Sequence, residues 1–488
     1  MSWSFLLDRA TLVASSLIAL LTLKYVKAYR TRSKPDAIPT VGPDGILSSY
    51  YTIWRYLFHG CELIEEGCRK YPGRAFKIPT LDGWQVVVNG PKLIDDIRRA
   101  PEKELSNLEA IEDLLKASYT ISPALHNNPY HIEVIRTLLT RNIVPRFDDL
   151  RDEIVAAFND NIPVKDHAVE AVHNIVVRTS NRMLVGLPLC RDPDYCDLNI
   201  NFTVSVAISS ALISLFPEAL HPIVGRIFTK REHFFGRAMK HLGPIIEERL
   251  KMQQEYGKEW PDKPNDYISW LIDLMEYAAE DWQKGLVEDW VLRVLAVNFA
   301  AIHTTSMSFT HALYHLAANP HLAGPLREEV ATTVGTKGWS KAAMRHVGAG
   351  PVGMVRVTKK DFRLTDGSLV PAGTKVAAAS YHVHYDDTYP APDDFNAARF
   401  AKLRDMEGEG VKHQVVTPTL DWVNFGTGKH ACPGRFFAVN ELKAMLAHVL
   451  MKYDVKFKDD AGFPPSMVFA GSISPNQAAK VMFRRRSA

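Results

Sequence analysis

One cysteine constrains this chain more than any other feature. The segment Asn424 to Ala438, NFGTGKHACPGRFFA, sets Cys432 among glycines, a histidine and a proline, just before a stretch with a helical pattern. Proline is suited to the first position of a helix, because its missing N–H would go unpaired there anyway and its φ is already helical. The backbone N–H groups of that first turn then point at the sulfur and favour the thiolate, the form in which cysteine binds a metal. Gly426, Gly428 and Gly434 let the backbone come close to a flat macrocycle that side chains would hold away, and Phe425 is placed to shield the sulfur from water. The competing reading is a buried, inert cysteine behind a glycine-rich turn.

The chain is long enough to enclose such a macrocycle: 488 residues, 46% hydrophobic, can bury a large core, and this composition excludes a disordered chain. A net charge of +3 provides no basic field, so no nucleic-acid partner is expected. The five cysteines, Cys61, Cys68, Cys190, Cys196 and Cys432, are odd in number and irregularly spaced, which argues for a reducing compartment over a disulfide framework. Cys61 and Cys68 have no nearby histidine partners and read as core packing.

Residues 1–28 read as a membrane anchor, residues 29–46 as a basic linker with three prolines, and residues 47–488 as the catalytic domain. The uncharged run Ala10 to Leu23 extends to Val26 if Lys24 reaches the interface, still at the short end of the roughly 20 residues a spanning helix needs. Lys24, Lys27, Arg30, Arg32 and Lys34 follow the run, the order of an uncleaved anchor with the domain on the cytoplasmic side. An amphipathic surface helix is the alternative.

Periodicity predicts a mainly α chain with small β-sheets. Helical patterns cover His131 to Arg141, Leu150 to Ile162, Ala168 to Val185, Arg231 to Gln254, Tyr267 to Ala279 and Glu288 to Ala317. Alternation predicts strands around Gly83 to Gly90, then at Val352 to Val357, Phe362 to Leu364 and Lys375 to Ala379, separated by turns at Asp366-Gly367 and Pro371 to Gly373.

The pattern Phe425, Gly428, Cys432, Gly434 resembles the haem-thiolate signature of the cytochrome P-450 monooxygenases. That resemblance implies a haem b held by the Cys432 thiolate, between the long central helix and the cysteine loop. A sulfur axial ligand favours O–O cleavage, so the implied chemistry is oxygen activation. The stretch Phe299 to Thr305 resembles the family's oxygen-binding helix: Ala300 and Ala301 would let the helix pass close over the macrocycle, and Thr304 would deliver protons during oxygen activation. Alone, a helical threonine more often bonds the carbonyl four residues back. Where many relatives carry an acid before this threonine, the chain has His303, which can relay protons near its ordinary pKa of about 6.5. Haem carries two carboxylates, for which arginine is the matching cation. His430, two residues before the cysteine, is placed for them by chain geometry, and the resemblance adds Arg136 and Arg356; a solvated surface charge is the alternative for each arginine. Arg399, in Phe395 to Phe400, is implied to lock the backbone behind the haem.

Relatives carry a Glu-x-x-Arg helix between the oxygen-binding helix and the second β region. Here Gly338 to Val352 crosses that interval without a glutamate, and the spacing occurs only at Glu66/Arg69 and Glu133/Arg136. The reading is a deletion near residues 347–351, arising as a transcript variant, a gene-model error or a true loss. It predicts that Arg399 lacks its carboxylate and that the chain takes up haem poorly.

The implied activity is hydroxylation or desaturation of a lipophilic small molecule, a terpenoid or other secondary metabolite, with electrons from NADPH through cytochrome P-450 reductase at the endoplasmic reticulum membrane, single-pass, domain facing the cytoplasm. The apolar stretch Phe202 to Phe216 reads either as a pocket roof near the membrane or as core helix. Two other readings stand beside it: a haem-deficient inactive variant, and a reductase-independent isomerase or dehydratase, for which Thr304 has little use.

Overall fold

The longest element is the central helix, Val287–Ala318. It is apolar almost all round, from Trp290 and Leu295 to Phe309 and Leu313, and a helix of that kind is stable only when other elements cover it on several sides. Helices Ala168–Leu184, Pro193–Ser214, Arg231–Tyr256 and Arg435–Lys452 all pack against it and share one large hydrophobic core. The computed structural model describes residues 37–45, 48–81, 83–162, 168–278, 286–332, 344, 350–385, 389, 391, 395–396, 399–458, 462–469 and 471–487. The expected anchor at 1–28, positions 29–36 and 46 of the linker and positions 347–349 of the expected gap lie outside the described residues.

A five-stranded sheet stands beside the helices. β1 (Phe76–Thr80) and β2 (Gly83–Val88) form an antiparallel hairpin; β3 is Leu105–Ser106, β4 Gly353–Thr358 and β7 Lys375–Ala378, in the order β1-β2-β7-β4-β3. β2 pairs parallel with β7, joining segments some 290 positions apart, Val86 with Val376. Strand alternation buries Met354, Arg356 and Thr358 of β4 and turns the residues between them outward, so an arginine is carried into the interior by register alone. β5 (Phe362–Arg363) and β6 (Leu369–Val370) flank the expected turn at Asp366-Gly367. Near the end of the chain, β8 (Tyr453–Phe457) pairs with β11 (Val481–Arg485), and β9 (Met467–Phe469) with β10 (Ser472–Ser474).

The mainly α architecture with small sheets matches the expectation, and the helices meet their expected spans to within a few residues. One departure is informative. The segment expected as a helix from His131 to Arg141 is α-helical over His131–Val134, widens into a π turn at Ile135–Leu139, and tightens again at Thr140–Asn142. Hydroxyls draw carbonyls out of the regular ladder here: Thr137 Oγ1 donates to the Glu133 carbonyl (2.7 Å) and Thr140 Oγ1 to that of Ile135 (3.2 Å). Such turns recur at functional sites, and this one carries Arg136.

Helix Pro193–Ser214 buries Leu198, Phe202, Val206 and Ile213 in the core while exposing Val204 and Ile208, so the stretch with two readings is a core helix with an apolar outer edge. It is the one helix among the described residues long and apolar enough to cross a membrane, and half of its most apolar window is buried within the protein.

Glu441 lies on helix Arg435–Lys452 and is fully buried. Its Oε1 accepts from Thr179 Oγ1 (2.6 Å) and Ser180 Oγ (2.9 Å). Burial pushes its carboxyl up from 4.5 to about 7, against those two hydrogen bonds. A carboxyl whose folded pKa is raised contributes stability that is complete below pH 4.5 and is lost as pH rises through about 7. Glu441→Gln should therefore gain stability relative to the parent chain between pH 5 and pH 8, read by urea unfolding; an equal difference at both values would refute this.

Candidate functional site

The loop before helix Arg435–Lys452 is built to leave one sulfur at a helix start. Gly426 (φ +63°) and Gly428 (φ +71°) turn the chain through the left-handed region. The Cys432 N–H donates to the Phe425 carbonyl at 2.8 Å, the Gly426 N–H to that of Val423 at 2.8 Å, and a short 3-10 turn spans Gly428–His430. A Cβ on Gly428 would lie 2.7 Å from the Arg98 carbonyl oxygen, so this glycine is required by close backbone approach. The loop is held from three sides: by Arg98 at Gly428, by Ile135 of the π turn at Gly434, and by Met354 of β4 at Gly426. Burial raises the pKa of Cys432, and it is opposed by the backbone N–H of Gly434, the charge of Arg435 and the backbone N–H of Arg435. Those two N–H groups are the donors expected at the sulfur from a helix start. Among the described residues no group of three or more His, Cys, Asp or Glu side chains is arranged to hold a bare metal ion.

Two arginines and a histidine gather beside this loop. His430 lies half-buried, with Nε2 3.1 Å from a Glu102 oxygen, yet the approach has no hydrogen-bond geometry and that nitrogen is left without a donor or acceptor. Burial and then Arg356 hold its pKa below the usual range, against Glu102. Arg356 is buried, gives Nη1 to the Val355 carbonyl at 2.8 Å, and is depressed to about 10 by burial, with Glu102 opposing. Arg136 is exposed and pairs with Glu133 at 3.2 Å, one turn back on its own segment, although its charge still acts on both His430 and Arg435. Its guanidinium is thus spent locally, whereas Arg356 is buried and His430 keeps a buried nitrogen without a hydrogen-bond partner.

Glu102 was not found by sequence reasoning. It accepts from Ser106 Oγ (2.6 Å) and from the N–H groups of Asn107 and Leu108 (both 3.1 Å), capping helix Asn107–Leu115. Although burial favours its neutral form, those bonds hold its carboxyl below the usual range. The only local signal is an acid shortly before a helix start; its neighbour His430 is more than three hundred positions away.

The central helix supplies the facing surface. Amid buried residues, Ala300 and Thr304 are exposed and Ala301 is half-exposed, a patch without side-chain cover in the middle of an otherwise enclosed helix. Thr304 Oγ1 donates to the Ala300 carbonyl at 2.7 Å, the local bond typical of helical threonine. Phe299, one residue before the patch, and Phe425, at the head of the cysteine loop, pack against the same core. His303 does not share that open face. Its ring lies against that of His173, centroids 4.8 Å apart and planes tilted by 52°, Nε2 lies 3.3 Å from the Ile200 carbonyl, and burial holds its pKa below the usual range. Arg399 donates Nη2 to the Ala391 carbonyl at 2.9 Å; most of the interval expected to hold its carboxylate partner lies outside the described residues.

Haem fits what these residues leave open. The helix start offers one thiolate ligand, a buried histidine nitrogen without a partner and a buried arginine suit carboxylates at the edge of a ring, and the bare Ala300–Thr304 patch leaves room for a flat face.

Comparison with known proteins agrees with this geometry. A family model described as cytochrome P-450 matches residues 64–483. Cytochrome P-450 monooxygenase 103 of Postia placenta is 40% identical over 492 aligned positions, which cover 96% of this chain and 97% of that protein. Cytochrome P-450 monooxygenase CYP512U6 of Ganoderma lucidum is 32% identical, covering 92% of each chain, and cytochrome P-450 monooxygenase paxP of Penicillium paxilli is 30% identical, covering 94% and 92%. Because 96% of 488 residues are fitted to 492 positions of the first alignment, about two dozen positions of that relative face no residue here. A cysteine loop of this construction, opposite a bare patch on the longest helix and inside a match that runs from residue 64 to residue 483, places the chain in the cytochrome P-450 family of oxidoreductases.

Proposed function

We propose that the chain descends from, and with its full complement of helices acts as, a membrane-anchored haem-thiolate monooxygenase that hydroxylates or desaturates a lipophilic small molecule of terpenoid or related type, with electrons from NADPH through a reductase. The observation that carries this reading is the Cys432 sulfur, which meets two backbone N–H groups at the start of helix Arg435–Lys452. Bound haem supplies the oxygen-activating chemistry. The protein's part is to hold and orient it: Cys432 ligates, His430 and Arg356 meet the carboxylates, Phe425 keeps water from the sulfur, and Ala300 and Ala301 leave the opposite face clear. Arg136 joins the carboxylate holders by turning from Glu133. Thr304 has a proton at Oγ1 that it now gives to the Ala300 carbonyl, and rotation about one bond redirects it into the open space. His303, held as a neutral ring against His173, fits a supporting role behind the helix better than direct relay. The runs of charge after Val26 support an endoplasmic reticulum anchor with the domain on the cytoplasmic side. Thr304 favours a monooxygenase over an isomerase or dehydratase.

A second reading concerns the chain as it stands: that it lacks a helix and takes up haem poorly. The two dozen unmatched positions of the relative support it. So does a cavity of about 480 Å³ lined by Cys61, Glu65, His315, Tyr381 and Phe395 among others. Tyr381, on its wall, bonds the Pro351 carbonyl, where the described chain resumes after the interval without a glutamate. The test is a carbon monoxide difference spectrum of the reduced protein, as it stands and with the relative's extra segment inserted between Val347 and Pro351. A weak thiolate-type band that grows to full height on insertion is expected. Full height without the insertion removes the second reading, and no thiolate-type band in either protein removes the first.

A further inference from the structure

The haem-thiolate reading does not use Arg435, whose side chain makes the most specific contacts in the loop. Its Nη1 donates to the Cys432 carbonyl at 2.9 Å and its Nε to the Val416 carbonyl at 3.1 Å, so one guanidinium bridges two carbonyls sixteen positions apart. The ring of Phe436 lies beneath it, 4.5 Å from the guanidinium carbon. The Val416 end is itself fixed: the adjoining Val415 carbonyl accepts from Nε1 of Trp422, which is fully buried. Arg435 also acts on the cysteine electrostatically, its charge and its own backbone N–H both favouring the thiolate.

We infer that Arg435 is a positioning residue for the thiolate: its side chain pins the cysteine loop to the segment around Val416, and its fixed positive charge beside the sulfur makes the site easier to reduce. The pin is specific to a planar fork. A lysine ammonium keeps the charge but, as a point donor on a flexible stem, does not hold two carbonyls in a set geometry. The charge effect follows from Coulomb's law in a partly dehydrated place, where a cation near an electron-rich ligand lowers the energy of the state carrying the added electron. Outer contacts of this kind typically change metal affinity by about 10–100-fold when removed.

The inference rests on the haem-thiolate reading, and two measurements keep the two apart. In the full chain without haem, amide exchange at Cys432 and Ala431 should be at least about tenfold faster in both Arg435→Gln and Arg435→Lys, because each loses the bridge. In the haem-loaded protein, Arg435→Gln should show a more negative reduction potential than the parent, while Arg435→Lys should stay close to it. Unchanged exchange in Arg435→Gln overturns the pin, and an unchanged potential in the same variant overturns the charge role. Should Arg435→Gln fail to fold, Arg435→Lys decides alone: slow exchange or a shifted potential in it refutes the assignment. No thiolate-type band in either the parent chain or the chain with the extra segment inserted would count against the haem reading, and the exchange measurement would still decide the pin.

Discussion

Cys432→Ser should abolish the thiolate-type band of the reduced carbon monoxide complex and take monooxygenase turnover to background, while leaving the fold in place. Serine keeps the backbone arrangement, since the Cys432 N–H bond to the Phe425 carbonyl and the turns at Gly426 and Gly428 do not involve the sulfur. What it removes is the sulfur, which can give up its proton to bind a metal as the thiolate; a hydroxyl there remains protonated. Haem retention should fall by at least about 100-fold, the upper range seen for the loss of mere outer contacts. The variant's unfolding midpoint in urea should stay within about 0.5 kcal/mol of the parent in the absence of haem, the usual range for a change that opens no cavity. The experiment belongs in the protein with the extra segment inserted as well as in the chain as it stands. A thiolate-type band surviving in the serine variant would end the assignment of Cys432.

Asp289→Ala should be the most destabilising single change at a polar residue near the site. Arg293 is fully buried on the central helix, and its only carboxylate partner among the described residues is Asp289, with Nε at 2.7 Å and Nη2 at 3.1 Å. The rest of its bonds are neutral: Nη1 lies 2.9 Å from the Asn128 carbonyl and 3.0 Å from His131 Nδ1, and the guanidinium stacks on the Tyr130 ring at 3.6 Å. Burial and the Arg293 charge push the His131 pKa down to about 3, so that ring stays a neutral acceptor. Tyr130 also donates to Asp289, at 2.8 Å. Removing the carboxylate strands a guanidinium in the core, which costs about 3–5 kcal/mol. The same cluster seats residues 128–131, so the π turn at Ile135–Leu139 and the Arg136 it carries should loosen with it. Urea unfolding of the haem-free chain reads the loss, and Asp289→Ala combined with Arg293→Met should recover most of it. A loss below about 1 kcal/mol would show that water reaches Arg293 and that the cluster is not closed.

Part of this arrangement could be read from neighbouring residues. The helical spans from Leu150 to Ala317 repeat at the helical period, and the structure keeps them with ends shifted by a few residues, because burial of one face is decided by spacing along the chain. The cysteine loop was equally legible: left-handed glycines, a proline and a following helix are all local chemistry. Arg356 was a candidate by resemblance only; the register of β4 in the sheet is what buries it.

Other assignments were open because the deciding partner is distant. Arg136 carries Glu133 three residues back, and only the folded chain shows that it pairs there while its charge still reaches His430. His303 follows the helical period onto one face, but the ring it meets is His173, and sequence gives no sign of that contact. Glu102 became visible as the neighbour of His430 only in the folded chain, where helix Pro91–Arg99, just before it, packs against the turn Gly428–His430.

Sequence by itself determined the thiol, the turn that presents it and the long helix opposite, because each depends on residues within a few positions of one another. Tertiary structure alone decided which cations reach the loop, where His303 turns, and that Arg435 ties Cys432 to Val416. Those are contacts between segments far apart in the chain, and their geometry is fixed by the packing of whole helices and strands, which no local pattern encodes.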